Sequence, residues 1–212
     1  MDHAEWVKRD LRGLAESLGF RYTPLNEIEN RLARARIAMK MNEIEALWVV
    51  EKMDYYYLSG TTQDGFLFVP LEGKPLLIVK RELERARIES PLEEVVGFRS
   101  LRELPTVIQS HWGRLPKSVG VELDLLPARD YVKYQDLFPG MRFMDSSPML
   151  RDIRKIKSPF EIDLMKVSGE IGRKVYQEAR TILKEGMTEI EFGGLLEAVA
   201  KKYGHKGLLR IS

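Results

Sequence analysis

Apolar residues at the start of the chain recur every three or four positions, the spacing that places side chains on one face of a helix. These positions are Val7, Leu11, Leu14 and Leu18. Gly19 follows the last of them and favours the end of a helix. The pattern therefore predicts a first helix over residues 3–18.

A second amphipathic helix is predicted to begin after Thr23-Pro24. Its apolar positions are Leu25, Ile28, Leu32, Ala35 and Met39. Glu27 and Arg31 stand four residues apart on another face, where they can form an ion pair. Arg31, Arg34 and Arg36 are typical either of a polyanion site or of the solvated face of a helix, and we expect the solvated face.

From residue 46 to residue 145, short apolar runs alternate with amphipathic segments. The predicted strands cover residues 46–50, 65–69, 75–80, 94–98, 119–123 and 141–145. The predicted helices cover residues 81–88, 101–112 and 128–137. Gly73 lies in a short loop between the second and third strands and indicates a hairpin. This order predicts an α/β fold, a mixed β-sheet with helices on both faces.

A basic run at residues 151–157 separates this region from two long amphipathic segments. Ser158, Pro159 and Glu161 form a helix-start signal, with an N-cap, a proline in the first turn and a capping-box acid. Cations inside the first turn would oppose the helix dipole, so the helix is expected to begin after the basic run. We therefore interpret residues 151–157 as a linker.

The two segments that follow predict two helices, the first ending at Gly186 and the second capped by Thr188 with Glu191. Their apolar positions are Leu164, Ile171, Val175, Ala179, Ile182, Phe192, Leu195, Leu196, Val199 and Tyr203. Amphipathic helices need a surface to cover their apolar faces. We expect the two helices to pack against each other and against either the preceding domain or a second copy of the chain in a dimer.

Composition narrows the class of protein. The 34 Lys and Arg against 32 Asp and Glu leave a net charge of +2, and no basic tract is interleaved with aromatics, which disfavours a nucleic-acid partner. No apolar run approaches the roughly 20 residues that span a membrane. There are no cysteines, which excludes disulfides and thiolate metal sites. We expect a cytoplasmic globular protein without membrane or nucleic-acid partners.

Motifs for catalysis are scarce. The only histidines are His3, His111 and His205, and none has the spacing of a metal-binding pair. A glycine-rich phosphate loop and a Gly-x-Ser-x-Gly elbow are both absent from the sequence. An α/β nucleotide-binding function is therefore disfavoured, and we expect the chain to bind no divalent metal.

Two motifs, in order along the chain, resemble those of the creatinase/prolidase/aminopeptidase P family. The sequence Asp54-Tyr55-Tyr56-Tyr57-Leu58-Ser59-Gly60 is similar to an N-terminal-domain motif of that family, an aromatic residue followed by Leu-Ser/Thr-Gly. The helix start at Lys157-Ser158-Pro159-Phe160-Glu161-Ile162 is similar to the beginning of its catalytic domain. The three tyrosines could also form a binding wall, but we expect one or two to lie in the core with hydroxyls reaching the surface.

The resemblance implies a domain division and a parent activity. Residues 1–153 would form the creatinase/prolidase N-terminal domain, and residues 158–212 would begin a catalytic domain of pita-bread shape. The parent would hydrolyse the bond before proline in peptides, with Mn, Co or Zn held by two Asp, one His and two Glu. Those ligands are expected beyond Ser212. The chain alone is then expected to be inactive and to serve homodimerisation and active-site capping.

The loop after the tyrosine motif is the remaining candidate site. It contains Thr61, Thr62, Gln63 and Asp64 between two glycines. In the family that it resembles, this segment can reach toward the active site of the partner subunit. The same residues suit a plain turn into a strand. The loop also lacks the aromatic residue or arginine that several family members place there.

Two functions of different classes remain open. The chain is either part of a metal-dependent Xaa-Pro peptidase or a stand-alone, non-catalytic module that dimerises or binds a partner. A reading frame that continues past Ser212 with two Asp, one His and two Glu would select the peptidase, and a stop codon there would select the module.

Overall fold

The computed structural model describes residues 21–205 together with Gly13. The predicted first helix over residues 3–18 lies outside the described residues apart from Gly13. The chain divides into two compact units, Met1–Lys155 and Ile156–Ser212. Each unit is described by itself.

The first unit is built on a six-stranded mixed sheet. The strands are β1 (Ala46–Val49), β2 (Gly65–Pro70), β3 (Leu76–Val79), β4 (Glu94–Gly97), β5 (Ser118–Val121) and β6 (Arg142–Asp145). Their order in the sheet is β4-β3-β2-β1-β5-β6. The β2 strand pairs antiparallel with both β1 and β3, and the other pairings are parallel. All strands except β2 therefore run in one direction, and their carboxyl ends meet at one edge of the sheet.

Within residues 21–155, one α-helix precedes these strands and five others connect or follow them. They are α1 (Leu25–Met41), α2 (Lys52–Ser59), α3 (Leu83–Glu89), α4 (Leu104–Trp112), α5 (Ala128–Leu137) and α6 (Ser147–Lys155). A 3₁₀ turn at Leu101–Glu103 leads into α4. Among the helices of residues 21–205, not one combines the length and apolar character that a membrane-spanning helix requires.

The sheet is covered on both faces because successive strand residues point to opposite sides. On one face, Leu47 and Val49 join a core that includes residues of α1, α2, α3 and α6. On the other face, Ala46 and Trp48 join a core that includes Leu104 of α4 and other residues of α4 and α5. The predicted α/β class, with a mixed sheet and helices on both faces, is confirmed.

Helix α6 was not predicted. The basic residues that suggested a linker form its second half, and only residues 156–158 separate α6 from the next helix. Its apolar residues Leu150 and Ile153 are buried in the core, which explains why the charged segment is helical. The interpretation of residues 151–157 as a linker is therefore wrong for residues 151–155.

The arginines of α1 are also less exposed than predicted. Arg31 is 3% exposed and Glu27 is 7% exposed, so their pair is buried instead of solvated. The Nη1 atom of Arg31 donates a 2.8 Å hydrogen bond to the carbonyl oxygen of Tyr57, and its Nε atom donates one of 2.9 Å to Glu27 Oε1. A protein carbonyl and a carboxylate thus replace the water that Arg31 was expected to contact.

The second unit contains the two remaining described helices, α7 (Pro159–Ile182) and α8 (Glu189–Lys202). Both begin with the predicted capping boxes, Ser158 with Glu161 and Thr188 with Glu191. The helices pack on each other through a small core, which confirms the predicted contact between them. That core contains Val175, Leu196 and Ala200, flanked by Ile171, Ala179, Ile182, Phe192 and Val199.

Candidate functional site

Helix α2 carries the tyrosine motif and is fixed at both ends. Its N-cap, Glu51, accepts hydrogen bonds from the amides of Met53 at 2.7 Å and Asp54 at 2.9 Å. Its C-cap, Gly60, has a φ of 79°, a left-handed conformation that favours glycine. The chain therefore leaves the helix in a defined direction, and the candidate loop follows immediately.

Two of the three tyrosines are in the core, as predicted. Tyr55 and Tyr57 are 3% and 6% exposed, whereas Tyr56 is 37% exposed. The expectation that the buried hydroxyls reach the surface is wrong for Tyr55, whose hydroxyl is buried without a hydrogen-bond partner. Burial raises the pKa of Tyr55, and the nearby charges of Asp64 and Glu89 raise it further. The tyrosine motif therefore supplies Tyr55, Tyr57 and Leu58 to the core of the first unit.

The four predicted loop residues have different environments. Thr61 is 1% exposed, Gln63 is half-buried, and Thr62 and Asp64 are exposed. Thr61 Oγ1 donates a 2.6 Å hydrogen bond to Glu89 Oε2, and Gln63 Nε2 donates one of 3.0 Å to the same oxygen. Thr61 and Gln63 therefore hold the loop on α3, while Thr62 is exposed and Asp64 is exposed beside Lys80, with Asp64 Oδ2 3.8 Å from Lys80 Nζ.

Glu89 is the anchor of this loop and was not singled out from the sequence. Burial alone would raise the pKa of Glu89, but hydrogen bonds from Thr61, Gln63 and Arg85 hold it below its ordinary value. The carboxylate is thus kept ionised where it accepts from the loop. Because Glu89 is on α3, 28 residues after Thr61, its role depends on the tertiary fold.

A buried carboxyl group lies just after β5. Glu122 is 1% exposed, and the amide of Val50 donates hydrogen bonds of 3.3 and 3.2 Å to its two carboxyl oxygens. Burial raises the pKa of Glu122 from 4.5 to about 8, although those amide hydrogen bonds favour the ionised form. The charge of Asp54 raises the pKa of Glu122 further.

These acids do not make a metal site. Among residues 21–205, no group of three or more His, Asp or Glu side chains is arranged to hold a metal ion. Asp54 instead pairs with Arg154, and Asp124 pairs with Arg151. The described residues therefore do not fit the two-metal centre that the sequence resemblance implies for a parent enzyme.

An open cleft of about 440 Å³ lies at the edge of the sheet where the strands' carboxyl ends meet. It is lined by residues that follow β1, β3, β4 and β5, together with Asp64 and Phe66 at the start of β2. From β1 the chain builds β2, β3 and β4 on one side and then returns to build β5 and β6 on the other. Ligands of open α/β sheets bind where the strand order reverses in this way.

The chain is similar to proteins of one family. The model of the creatinase/prolidase N-terminal domain matches residues 31–156. Among curated proteins, the Xaa-Pro dipeptidase of Pyrococcus furiosus is 25% identical over 179 residues, which cover 84% of this chain and 49% of that protein. The chain spans about half the length of the curated relatives that it matches.

Two solved structures extend the likeness to the fold. The prolidase from Pyrococcus horikoshii superposes with a TM-score of 0.72 at 26% identity, covering 82% of this chain and 49% of that one. The Xaa-Pro dipeptidase from Bacillus anthracis superposes with a TM-score of 0.76 at 20% identity, covering 84% of this chain and 50% of that one. Because the Bacillus anthracis protein is only 20% identical, its similarity shows the fold alone.

Proposed function

The chain belongs to the creatinase/prolidase N-terminal domain family, and we propose on that premise that it is the N-terminal part of a metal-dependent Xaa-Pro peptidase. Such an enzyme hydrolyses the peptide bond before a proline. The proposed substrates of the whole protein are therefore proline-containing peptides.

One observation carries the proposal. The relatives named Xaa-Pro dipeptidases match most of this chain, but the match spans only about half of their own length. The family model itself matches residues 31–156, more than half of the chain. Similarity of this extent supports a role as the first half of a protein of the same kind.

The proposal assigns a role to each unit. Residues 1–153 would form the N-terminal domain, and residues 158–212 would supply the first helices of a catalytic domain. A divalent cation, Mn, Co or Zn, would be held by residues outside the described part of the chain, because no suitable group of ligands occurs within it. The metal would supply an activated water for hydrolysis.

The proposal also assigns a role to the candidate loop. In a homodimer, Thr62 and Asp64 would face the active site of the partner subunit and help to enclose the substrate. Their exposure supports this role, since a side chain must be exposed in one subunit to contact another. Thr61 and Gln63 would serve by holding the loop on Glu89.

The test uses the purified 212-residue chain and the Xaa-Pro dipeptidase of Pyrococcus furiosus as a positive control. Each protein is dialysed, analysed for bound metal, and assayed on Gly-Pro with added Mn²⁺, Co²⁺ or Zn²⁺. We expect no stoichiometric metal and no turnover for the chain alone, since it lacks a ligand group among its described residues. Metal-dependent turnover by the chain, abolished by a chelator, would show that the proposed division of roles is wrong.

A further inference from the structure

The cleft at the carboxyl edge of the sheet has the size and position of a ligand site. Its volume of about 440 Å³ lies within the roughly 300–1,000 Å³ typical of small-molecule pockets. It adjoins a second depression of about 650 Å³, and the two share Lys80, Phe98 and Arg99 as lining residues. The shared residues follow β3 and β4, so the two depressions adjoin along that edge, and together they are called the groove.

One wall of the groove is aromatic. The ring centroids of Phe66 and Phe98 are 5.3 Å apart, and those of Phe66 and Tyr134 are 6.3 Å apart. Leu125, also in the lining, is 62% exposed. Phe98 and Tyr134 are only 6% and 4% exposed and pack against Phe66, so the half-buried Phe66 and the exposed Leu125 supply the apolar surface on which a flat, apolar ligand body can be buried.

Three of the five acids that line the groove are already engaged. Asp130 Oδ1 is 2.8 Å from Lys133 Nζ, and Asp64 Oδ2 is 3.8 Å from Lys80 Nζ. Glu51 accepts from two amides at the start of α2. The negative charges of these three acids are therefore directed at groups of the protein, whereas Glu82 and Glu103 also line the second depression.

Two cations of the groove lack such a partner. Within residues 21–205, no carboxylate lies within 4.0 Å of the guanidinium of Arg81 or Arg99. The nearby Glu103 accepts from the backbone amide of Arg99, at 3.2 Å, and not from its guanidinium. A guanidinium offers several donors in a fixed plane and binds carboxylate or phosphate in a bidentate manner.

From this juxtaposition of Phe66 and Leu125 with two arginines that have no carboxylate partner among residues 21–205, we propose that the groove binds a small organic anion with an aromatic or similarly flat apolar body. The body would lie on Phe66 and Leu125, and the anionic group would contact Arg99 and Arg81. This inference goes beyond the proposed peptidase role and does not depend on it.

The test is a titration of the ¹⁵N-labelled 212-residue chain, followed by the amide chemical shifts. The probes are phenylacetate and phenyl phosphate, with benzyl alcohol as the uncharged body and acetate as the anion without a body. We expect saturable shifts at Lys80, Phe98 and Arg99 with at least one of the two aromatic anions, and much weaker binding of benzyl alcohol and acetate. The stronger of the two anions identifies the group as carboxylate or phosphate.

Matched variants locate the site. Arg99→Gln is expected to weaken binding about tenfold, because a charge-assisted hydrogen bond is lost. Arg142→Gln removes the same charge from an exposed arginine at the amino end of β6, and it should bind as the unaltered chain does. Both side chains are exposed, so neither substitution is expected to unfold the chain. The amide spectrum of each variant checks that it is folded.

Three results would overturn the inference. They are the absence of saturable shifts along the groove with either aromatic anion, equal binding of benzyl alcohol, and equal weakening by Arg99→Gln and Arg142→Gln. None of them concerns peptide hydrolysis, so failure here is distinguishable from failure of the proposed peptidase role.

Discussion

The Nη1 atom of Arg154 lies 2.8 Å from Oδ1 of Asp54, a residue 100 positions earlier in the chain. The pair joins the end of α6 to the helix that carries the tyrosine motif. The Asp54 side chain is 7% exposed and that of Arg154 is 34% exposed. Burial raises the pKa of Asp54 even though Arg154 favours its ionised form, so the carboxylate depends on this partner.

We expect Arg154→Met to lower the free energy of unfolding by about 1–3 kcal/mol, because it leaves a buried carboxyl group unpaired. The partial exposure of Arg154 places this effect below that of a fully buried pair. Arg151→Met is the control, since Arg151 forms a more exposed pair with Asp124 and should contribute less than about 1 kcal/mol. Urea denaturation at pH 7 measures both variants.

The double variant Asp54→Asn with Arg154→Met completes a mutant cycle. The double variant should be more stable than Arg154→Met alone, because the amide that replaces the Asp54 carboxylate would need no counter-ion. Equal losses for Arg154→Met and Arg151→Met would contradict the importance of the buried pair.

The second prediction concerns pH. The pKa of Glu122 is 4.5 in an unfolded chain and about 8 in the folded one. Between these values the folded state holds one more proton than the unfolded state, so the free energy of unfolding should fall as pH rises. The contribution is at most about 1.4 kcal/mol per pH unit. The protonated Glu122 contributes its full stabilisation below pH 4.5, and this contribution is lost as pH rises through 8.

Glu122→Gln should remove this slope, because the amide does not titrate and can still accept from the Val50 amide. Glu72→Gln, at an exposed position, should leave the slope unchanged. The measurement is urea denaturation of the chain and both variants from pH 5 to pH 8.5. A slope that is the same in all three proteins would show that Glu122 ionises normally in the folded state.

The third prediction separates two neighbours in the candidate loop. Thr61→Val removes the hydroxyl that donates to Glu89 and accepts from the Gln63 amide, and should cost about 1–3 kcal/mol of stability. Thr62→Val, at an exposed position, should change stability by less than about 0.5 kcal/mol. Denaturation of both variants in urea gives the comparison, and equal effects would argue against Thr61 as the structural anchor.

Local patterns predicted most of the elements, and their failures have a common cause. Helix α6 was mistaken for a linker because Arg151 and Arg154 suggested solvent, whereas their partners, Asp124 and Asp54, are distant in sequence. Arg31 was expected to be solvated for the same reason, since the Tyr57 carbonyl that it contacts is 26 residues away. Apolar periodicity is local, but pairing of buried charges depends on the tertiary fold.

In the candidate site, too, local features could be predicted and features that depend on the tertiary fold could not. The loop of residues 61–64 could be located from its glycines and from the motif before it. Glu89, Glu122 and the cleft could not, because each depends on the strand order β4-β3-β2-β1-β5-β6. The hairpin of β2 and β3 was evident in the sequence, but the placement of β5 beside β1 requires a crossover that no local pattern specifies.

The fourth prediction is self-association through the second unit. In this unit Met165 is 58% exposed and Ile190 is 87% exposed, and apolar surface of this kind favours contact with a second copy. We expect sedimentation velocity to show a dimer at micromolar concentration. Ile190→Glu should shift it toward monomer, whereas Thr181→Glu, at an exposed polar position, should not. A monodisperse monomer of the unaltered chain would contradict this prediction.

The most direct test of the central claim is hydrolysis of Gly-Pro by the product of the complete source reading frame. If the chain is the N-terminal part of an Xaa-Pro peptidase, the frame continues past Ser212 and encodes two Asp, one His and two Glu in order. Its product should then cleave Gly-Pro with Mn²⁺, Co²⁺ or Zn²⁺, and a chelator should abolish the activity. A frame that stops after Ser212, or a longer product without metal-dependent turnover on Gly-Pro or a longer Xaa-Pro peptide, would contradict the claim.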